Sequence, residues 1–334
     1  MTGSKGTWVG ILCGMGAGAL WGLVFLAPEL ARPFSALQLT LGRYLSYGLL
    51  SAILIAPRWR ELTHRLTLRA WWALTGLALV GNTLYYILLS NAVRTAGIAM
   101  TSLVIGFLPV AVTLVGSRDR NAVPLRRLLP SLLLCGAGAV FIGWQALFTP
   151  SPGPLSARMT GLPCAFGAVV SWTIYAVGNS RWLDRLDYIS ADDWNRLVGV
   201  MAGAQAVVLI PVALIFDGAR HGAFAWARFG VISVCLAFLA SIVGNGLWNR
   251  MSRLLPLTLV GQMILFETLF ALVYGFFWER RMPTLPESAA FALVVLSVSS
   301  CIAAHGRDRC GASMNYSDWA ISSIDPGGRK VTSE

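Results

Sequence analysis

Ten apolar windows follow one another along this chain, each close to the ~20 residues an α-helix needs to cross a bilayer. They run over residues 9–27, 37–56, 71–91, 97–116, 128–148, 160–178, 194–216, 226–247, 256–277 and 288–304, bounded by Arg, Pro or turn residues. A helix satisfies its own backbone hydrogen bonds in lipid, so the windows predict an all-α polytopic membrane protein with ten transmembrane helices. Bulk composition agrees: 56% of the 334 residues are apolar and 12% charged, about half the charged share of a soluble domain. An ordinary soluble enzyme is excluded. The first window is too long for the apolar region of a signal peptide and reads as a retained helix. Residues 306–334 are rich in Ser, Gly and Asp without apolar periodicity and are expected to form a disordered tail.

The net charge of +11 invites a nucleic-acid reading, but Lys and Arg are scattered in small groups between the windows. No nucleic acid is expected. Loops rich in these residues stay on the cytoplasmic side. With the N-terminus inside, seventeen of the 26 fall on inner segments and seven on outer ones, with Arg43 and Arg196 inside windows. Both termini are therefore expected in the cytoplasm, and the charge is accounted for by orientation. The six cysteines form no CxxC pair and read as small packing residues.

The chain also repeats itself. GALWGLVF at 18–25 lines up with VVSWTIYA at 169–176, placing Trp21 against Trp172. VRTAGIAMTSLVIGFLPVAVTLVG, from Val93, aligns at a constant offset of 159 with SRLLPLTLVGQMILFETLFALVYG, from Ser252. These matches give two five-helix units, 1–148 and 149–305, and an odd number of spans forces the second to be inverted. Inverted repeats build many secondary transporters, with the substrate site near the midplane between halves.

A Trp in the middle of span one, an Arg early in span two (LGRYLSYG), the small-residue lead into span four (TAGIAMTSLVIGFLPV) and its second copy with LFETLF and WER resemble the EamA family of the drug/metabolite transporter superfamily. The resemblance covers about residues 8–305. It implies two inverted bundles around a central cavity, with spans five and ten peripheral, and activity as a metabolite or amino-acid carrier, usually an exporter, in the cell inner or plasma membrane. This sequence departs from the family pattern at Glu267-Thr268, where a Glu-Pro pair is common, and in span four, which keeps Pro109 without the Glu.

Glu267 is a carboxylate well inside span nine. A charge there costs about 3 kcal/mol or more, so it must be protonated, paired or facing water. It is a candidate proton-coupling site or substrate ligand, or a structural carboxyl bonded to a neighbouring helix. Arg43 and Arg196 are candidates for helix-end bracing, gating or a substrate carboxylate, with Glu29 a partner for Arg43 and Asp192 or Asp193 for Arg196. Asn82, Tyr85 and Tyr86 in span three, and Asn245, Trp248 and Asn249 in span eight, are spaced i, i+3, i+4, so each trio shares a helical face. With Trp21 and Trp172 they could line a cavity of aromatic faces and amides suited to a zwitterion; the alternative for Tyr85 and Trp248 is an interfacial aromatic belt. Gln262 in span nine is a further candidate. Gly10, Gly14, Gly18 and Gly22 form a smooth ridge for close helix approach, and Pro109 is a candidate hinge.

The function these features favour is secondary transport of a small metabolite by alternating access. The alternative is a non-transporting membrane sensor or partner protein with a degenerate transporter fold. An intramembrane enzyme is disfavoured: HExxH and GxSxG are absent, and His64, His221 and His305 lie in loops or at a span end. Without GxxxxGK[ST] there is no signal for primary transport, and no cofactor or metal is expected. The expected partners are a small-molecule substrate and the bilayer, with a homodimer left open.

Overall fold

A computed structural model describes residues 2–304 apart from 32, 118–123, 149–154, 217–220, 281, 284, 286, 287, 290, 294, 298 and 302. The expected tail, 306–334, lies outside the described residues. Among those described, every regular element is helical. The chain runs through α1 (Thr2–Gly22), α2 (Ala27–Leu30), α3 (Ala36–Ile55), α4 (Trp59–Arg65), α5 (Leu68–Ala78), α6 (Leu84–Ile105) and α7 (Leu108–Gly116). It continues through α8 (Leu125–Phe148), α9 (Leu155–Arg185), α10 (Ala191–Phe216), α11 (Ala223–Leu236), α12 (Asn245–Leu254), α13 (Leu257–Met263) and α14 (Leu265–Glu279). Seven stretches in the described part are long and apolar enough to cross a membrane. Their outer faces carry bare apolar side chains such as Val208 and Leu214, a surface stable only against lipid.

Local chemistry starts several helices. Ser35 caps α3 in a reciprocal capping box with Gln38, Thr67 caps α5, and Ser190 Oγ accepts from Asp193 N at the start of α10. Elsewhere the helices are interrupted. Residues Leu79–Thr83 and Ala237–Gly244 are π-helical, and the offset of 159 maps 79–83 onto 238–242, inside the second π segment. Such bulges free backbone groups and concentrate at functional sites. Span four breaks at Gly106–Phe107 and span nine at Ile264, which separates α13 from α14. Pro109 lies in the first turn of α7, where its missing N–H costs nothing.

α6 runs from window three into window four without non-helical backbone. Ala92 and Val104 nonetheless share one apolar cluster with Ala165. Twelve residues of straight helix would separate them by about 18 Å, so α6 turns back within its length.

Glycine sets the closest approaches. A Cβ on Gly48 would stand 2.5 Å from Gly203 Cα, so α3 and α10 cross backbone on backbone. The α1 ridge is used in full: Gly10 faces Leu254 and Leu255, Gly14 faces Met251 and Met263, Gly18 faces Phe266 and Glu267, and Gly22 faces Phe270 and Ala271. That contact carries α14 against α1 and fixes Glu267 one turn from Trp21.

Candidate functional site

A small, partly open cavity of about 30 Å³ lies between residues of the two halves of the chain. Trp21, Val24, Arg43, Tyr44, Asn82 and Tyr85 line it from the first half, together with Gly81 and Leu89. Trp172, Tyr175, Asn245 and Glu267 line it from the second. Seven residues singled out from sequence are thus brought together: Trp21, Arg43, Asn82, Tyr85, Trp172, Asn245 and Glu267.

The floor is a tryptophan cluster. Trp21 meets Trp172 edge to face at 5.9 Å, and Trp248 lies 5.1 Å from both. Trp21 Nε1 donates to Ala240 O (3.0 Å) and Asn245 Oδ1 (3.1 Å). Ala240 belongs to the π segment, whose geometry turns that carbonyl out to a side chain of α1. The other π segment behaves alike: Ser171 Oγ donates to Val80 O at 2.6 Å, and the Tyr175 ring seats on Gly81, where a Cβ would collide with it.

Two charged groups face the same space. Arg43, on α3, is 6% exposed; its Nε donates to Ser241 Oγ at 3.1 Å, and its guanidinium lies over the rings of Tyr86 (4.9 Å) and Tyr44 (5.3 Å). Aromatic faces stabilise a desolvated cation, and Arg43 turns inward to them instead of reaching for headgroups. Glu267 is 8% exposed and occupies the first turn of α14, where unpaired helix N–H groups favour a carboxylate. Arg43 acts on it electrostatically. Among the described residues no side chain donates a hydrogen bond to its carboxyl.

The remaining candidates lie elsewhere. Tyr86 is buried behind the cavity wall against Arg43 and Tyr44, and Trp248 sits beneath the floor, 1% exposed, so neither it nor Tyr85 belongs to an interfacial belt. Gln262 is fully buried away from the cavity: Ser131 and Ser297 donate to its Oε1, and its Nε2 donates to Thr113 Oγ1. Arg196 is on the outside of α10, 3.4 Å from Asp193, which is also held by Arg58 and Ser190. The side chain of Glu29, its counterpart as a partner for Arg43, lies outside the described residues.

On the side of Trp248, hydrogen bonds tie spans of the second half to one another. Asn179 Nδ2 donates to Asn249 Oδ1 and Trp194 Nε1 to Asn179 Oδ1, both at 2.8 Å. Tyr47 OH donates to Asn195 Oδ1 at 2.6 Å, joining α3 to α10.

Sequence reasoning missed Tyr44, Gly81 and Tyr175. Tyr175 lies one turn beyond Trp172 at i+3 and was open to the same face argument. Gly81 carried no signal, because a π segment has no sequence signature of its own.

Comparisons with known proteins place this architecture. The EamA-like transporter family model matches residues 8–144. Inner membrane protein YtfF of Escherichia coli (strain K12) is 32% identical over 310 residues, covering 86% of this chain and 93% of YtfF. A solved crystal structure superposes with a TM-score of 0.68 at 19% identity, over 89% of this chain and 96% of its own, a likeness of fold. With YtfF matched along nearly its whole length and the family pattern spanning the first half, this chain belongs to the EamA-like transporter family.

Proposed function

We propose that the chain is a secondary carrier that exports a small zwitterionic metabolite, such as an amino acid, by alternating access. The observation that carries this reading is the cavity itself: it lies between the halves and holds one carboxyl, Glu267, and one guanidinium, Arg43, among aromatic walls. The two charges offer partners for an ammonium and a carboxylate, and the tryptophan faces suit a cation or an aliphatic stem. Glu267 serves as ligand or proton-coupling group in preference to a structural brace, since no described side chain holds its carboxyl.

The proposed frame is ten spans in two inverted five-helix repeats, with both termini in the cytoplasm and the chain in the inner membrane. The matching π segments at 79–83 and 237–244, and the breaks at 106–107 and 264, support the repeat. Broken helices also supply hinges where half-helices can tilt. The positive-inside count supports the orientation, and the name of the relative YtfF supports the membrane assigned.

Counterflow in proteoliposomes tests the proposal. Vesicles loaded with unlabelled amino acids should accumulate labelled ones from a pooled external set. No exchange of any solute in the pool would favour the sensor alternative.

A further inference from the structure

Ten buried polar side-chain atoms have no hydrogen-bond partner among the described residues, and eight of them lie on spans three and eight, Ser233 Oγ standing apart from the rest. Burying a donor without a partner costs free energy, so such a concentration calls for a cause.

The groups are ordered. On span three, Asn82, Tyr86, Ser90 and Arg94 recur every four residues; Asn82 Nδ2 is unpaired, and Tyr86 OH and Ser90 Oγ have only each other and Arg43 nearby, without a well-formed hydrogen bond. On span eight, Ser241, Asn245, Asn249 and Arg253 recur at the same spacing, each 159 residues after its counterpart. There Asn249 Nδ2 and Arg253 Nε are unpaired, flanked by Trp248 Nε1 and Ser252 Oγ. Spacing of four keeps a row on one helical face. Twelve residues climb about 18 Å, a little over half of the ~30 Å hydrocarbon thickness.

Each row meets the cavity, through Asn82 at the head of the first and Asn245 at the second place of the other, and each ends on an arginine. Arg94 is exposed, and Arg253 donates through Nη2 to Leu186 O and Ile189 O. In the inverted arrangement the two rows run from the midplane to opposite surfaces, and together they span the bilayer.

The geometry points to these rows as the two halves of the solute path, outer along span three and inner along span eight, each opened to water in turn as the carrier alternates. This rests on the carrier reading above. Of the unpaired atoms, Asn82 Nδ2, Trp248 Nε1, Asn249 Nδ2 and Arg253 Nε can only donate, the hydroxyls can donate or accept, and none is a carbonyl or carboxylate oxygen. The path therefore takes an acceptor-rich solute, and a carboxylate is the group that the rows and their terminal arginines hold as it moves.

Charged methanethiosulfonate reagents test this without knowledge of the solute. In a background with its cysteines replaced, Ser90→Cys should react from the outside of intact cells and Ser252→Cys from the cytoplasmic face of inside-out vesicles. Asn249→Cys serves as a second inner position. The lipid-facing Val208→Cys should react with neither. Normalised to a free thiol, the anionic sulfonate reagent should modify the path positions about tenfold faster than the cationic trimethylammonium one. Unreactive thiols at all three path positions in a folded, monodisperse protein would make the rows structural and overturn the inference, as would reaction of the outer and inner positions from one face. A faster cationic reagent would overturn the solute class. Reaction from opposite faces in a protein that exchanges no solute would uphold the path while removing the carrier reading.

Discussion

Gly18→Ala probes the contact that positions Glu267. The added Cβ would lie 2.6 Å from Phe266 Cβ and 2.8 Å from Glu267 N and Phe266 C. Carbon atoms pack at about 3.5–4.0 Å, and backbone atoms cannot rotate aside, so α1 and α14 must part by roughly 1 Å. Overpacking of this kind costs about 1–3 kcal/mol. The same shift pulls Trp21 from Ala240 O and Asn245 Oδ1, which share its single N–H in a bifurcated bond worth about 0.5–1.5 kcal/mol. Alanine returns about 1 kcal/mol of helix propensity, leaving a net loss centred near ~2 kcal/mol. Gly76→Ala is the matched control, since a Cβ there meets nothing within 4 Å and only the propensity gain of up to ~1 kcal/mol remains. Equilibrium unfolding in mixed micelles measures both. Equal stability of the two variants would refute the close approach of α1 and α14.

Other substitutions separate the site from its frame. Gln262→Leu removes the acceptor shared by Ser131 and Ser297; it should cost about 1–3 kcal/mol in unfolding and leave the half-saturation concentration for exchange unchanged. Trp21→Phe keeps the ring among Trp172 and Trp248 but loses its N–H bonds, so that half-saturation concentration should rise while expression stays normal. Asp193 is 1% exposed and carries Arg58, Arg196 and Ser190, whereas Arg58 is 46% exposed. Asp193→Ala should therefore destabilise by about 1–3 kcal/mol, and Arg58→Ala by less, a ranking that paired denaturation curves check.

The residues show where sequence reasoning carries and where it stops. The tryptophan pair was legible because a weak repeat aligned it, Glu267 because a carboxylate inside a span needs a reason, and the glycine ridge because a spacing of four suits close helix approach. Helical-face arguments pointed to Asn82, Tyr85 and Asn245, which line the cavity, and equally to Tyr86, Trp248 and Asn249, which do not. Gln262 lies away from it, because a polar residue in a span shows that it needs partners without showing which helix supplies them; Ser131 and Ser297 come from distant windows. Arg43 and Arg196 looked equivalent by position, yet Asp193, three residues earlier, retains Arg196 at the start of α10 while Tyr44 and Tyr86 draw Arg43 inward. The break at Ile264 was not legible: Pro109 marks the equivalent region of span four, but Thr268 stands in its place in span nine, where a carboxylate at the new helix start takes over.

The central claim is that a zwitterion is held between Glu267 and Arg43. The most direct test is counterflow of an amino acid beside its deaminated analogue, in the wild-type protein and in Glu267→Gln. The wild type should exchange the amino acid and not the analogue, and Glu267→Gln should lose this preference. Exchange indifferent both to the ammonium group and to Glu267 would contradict it.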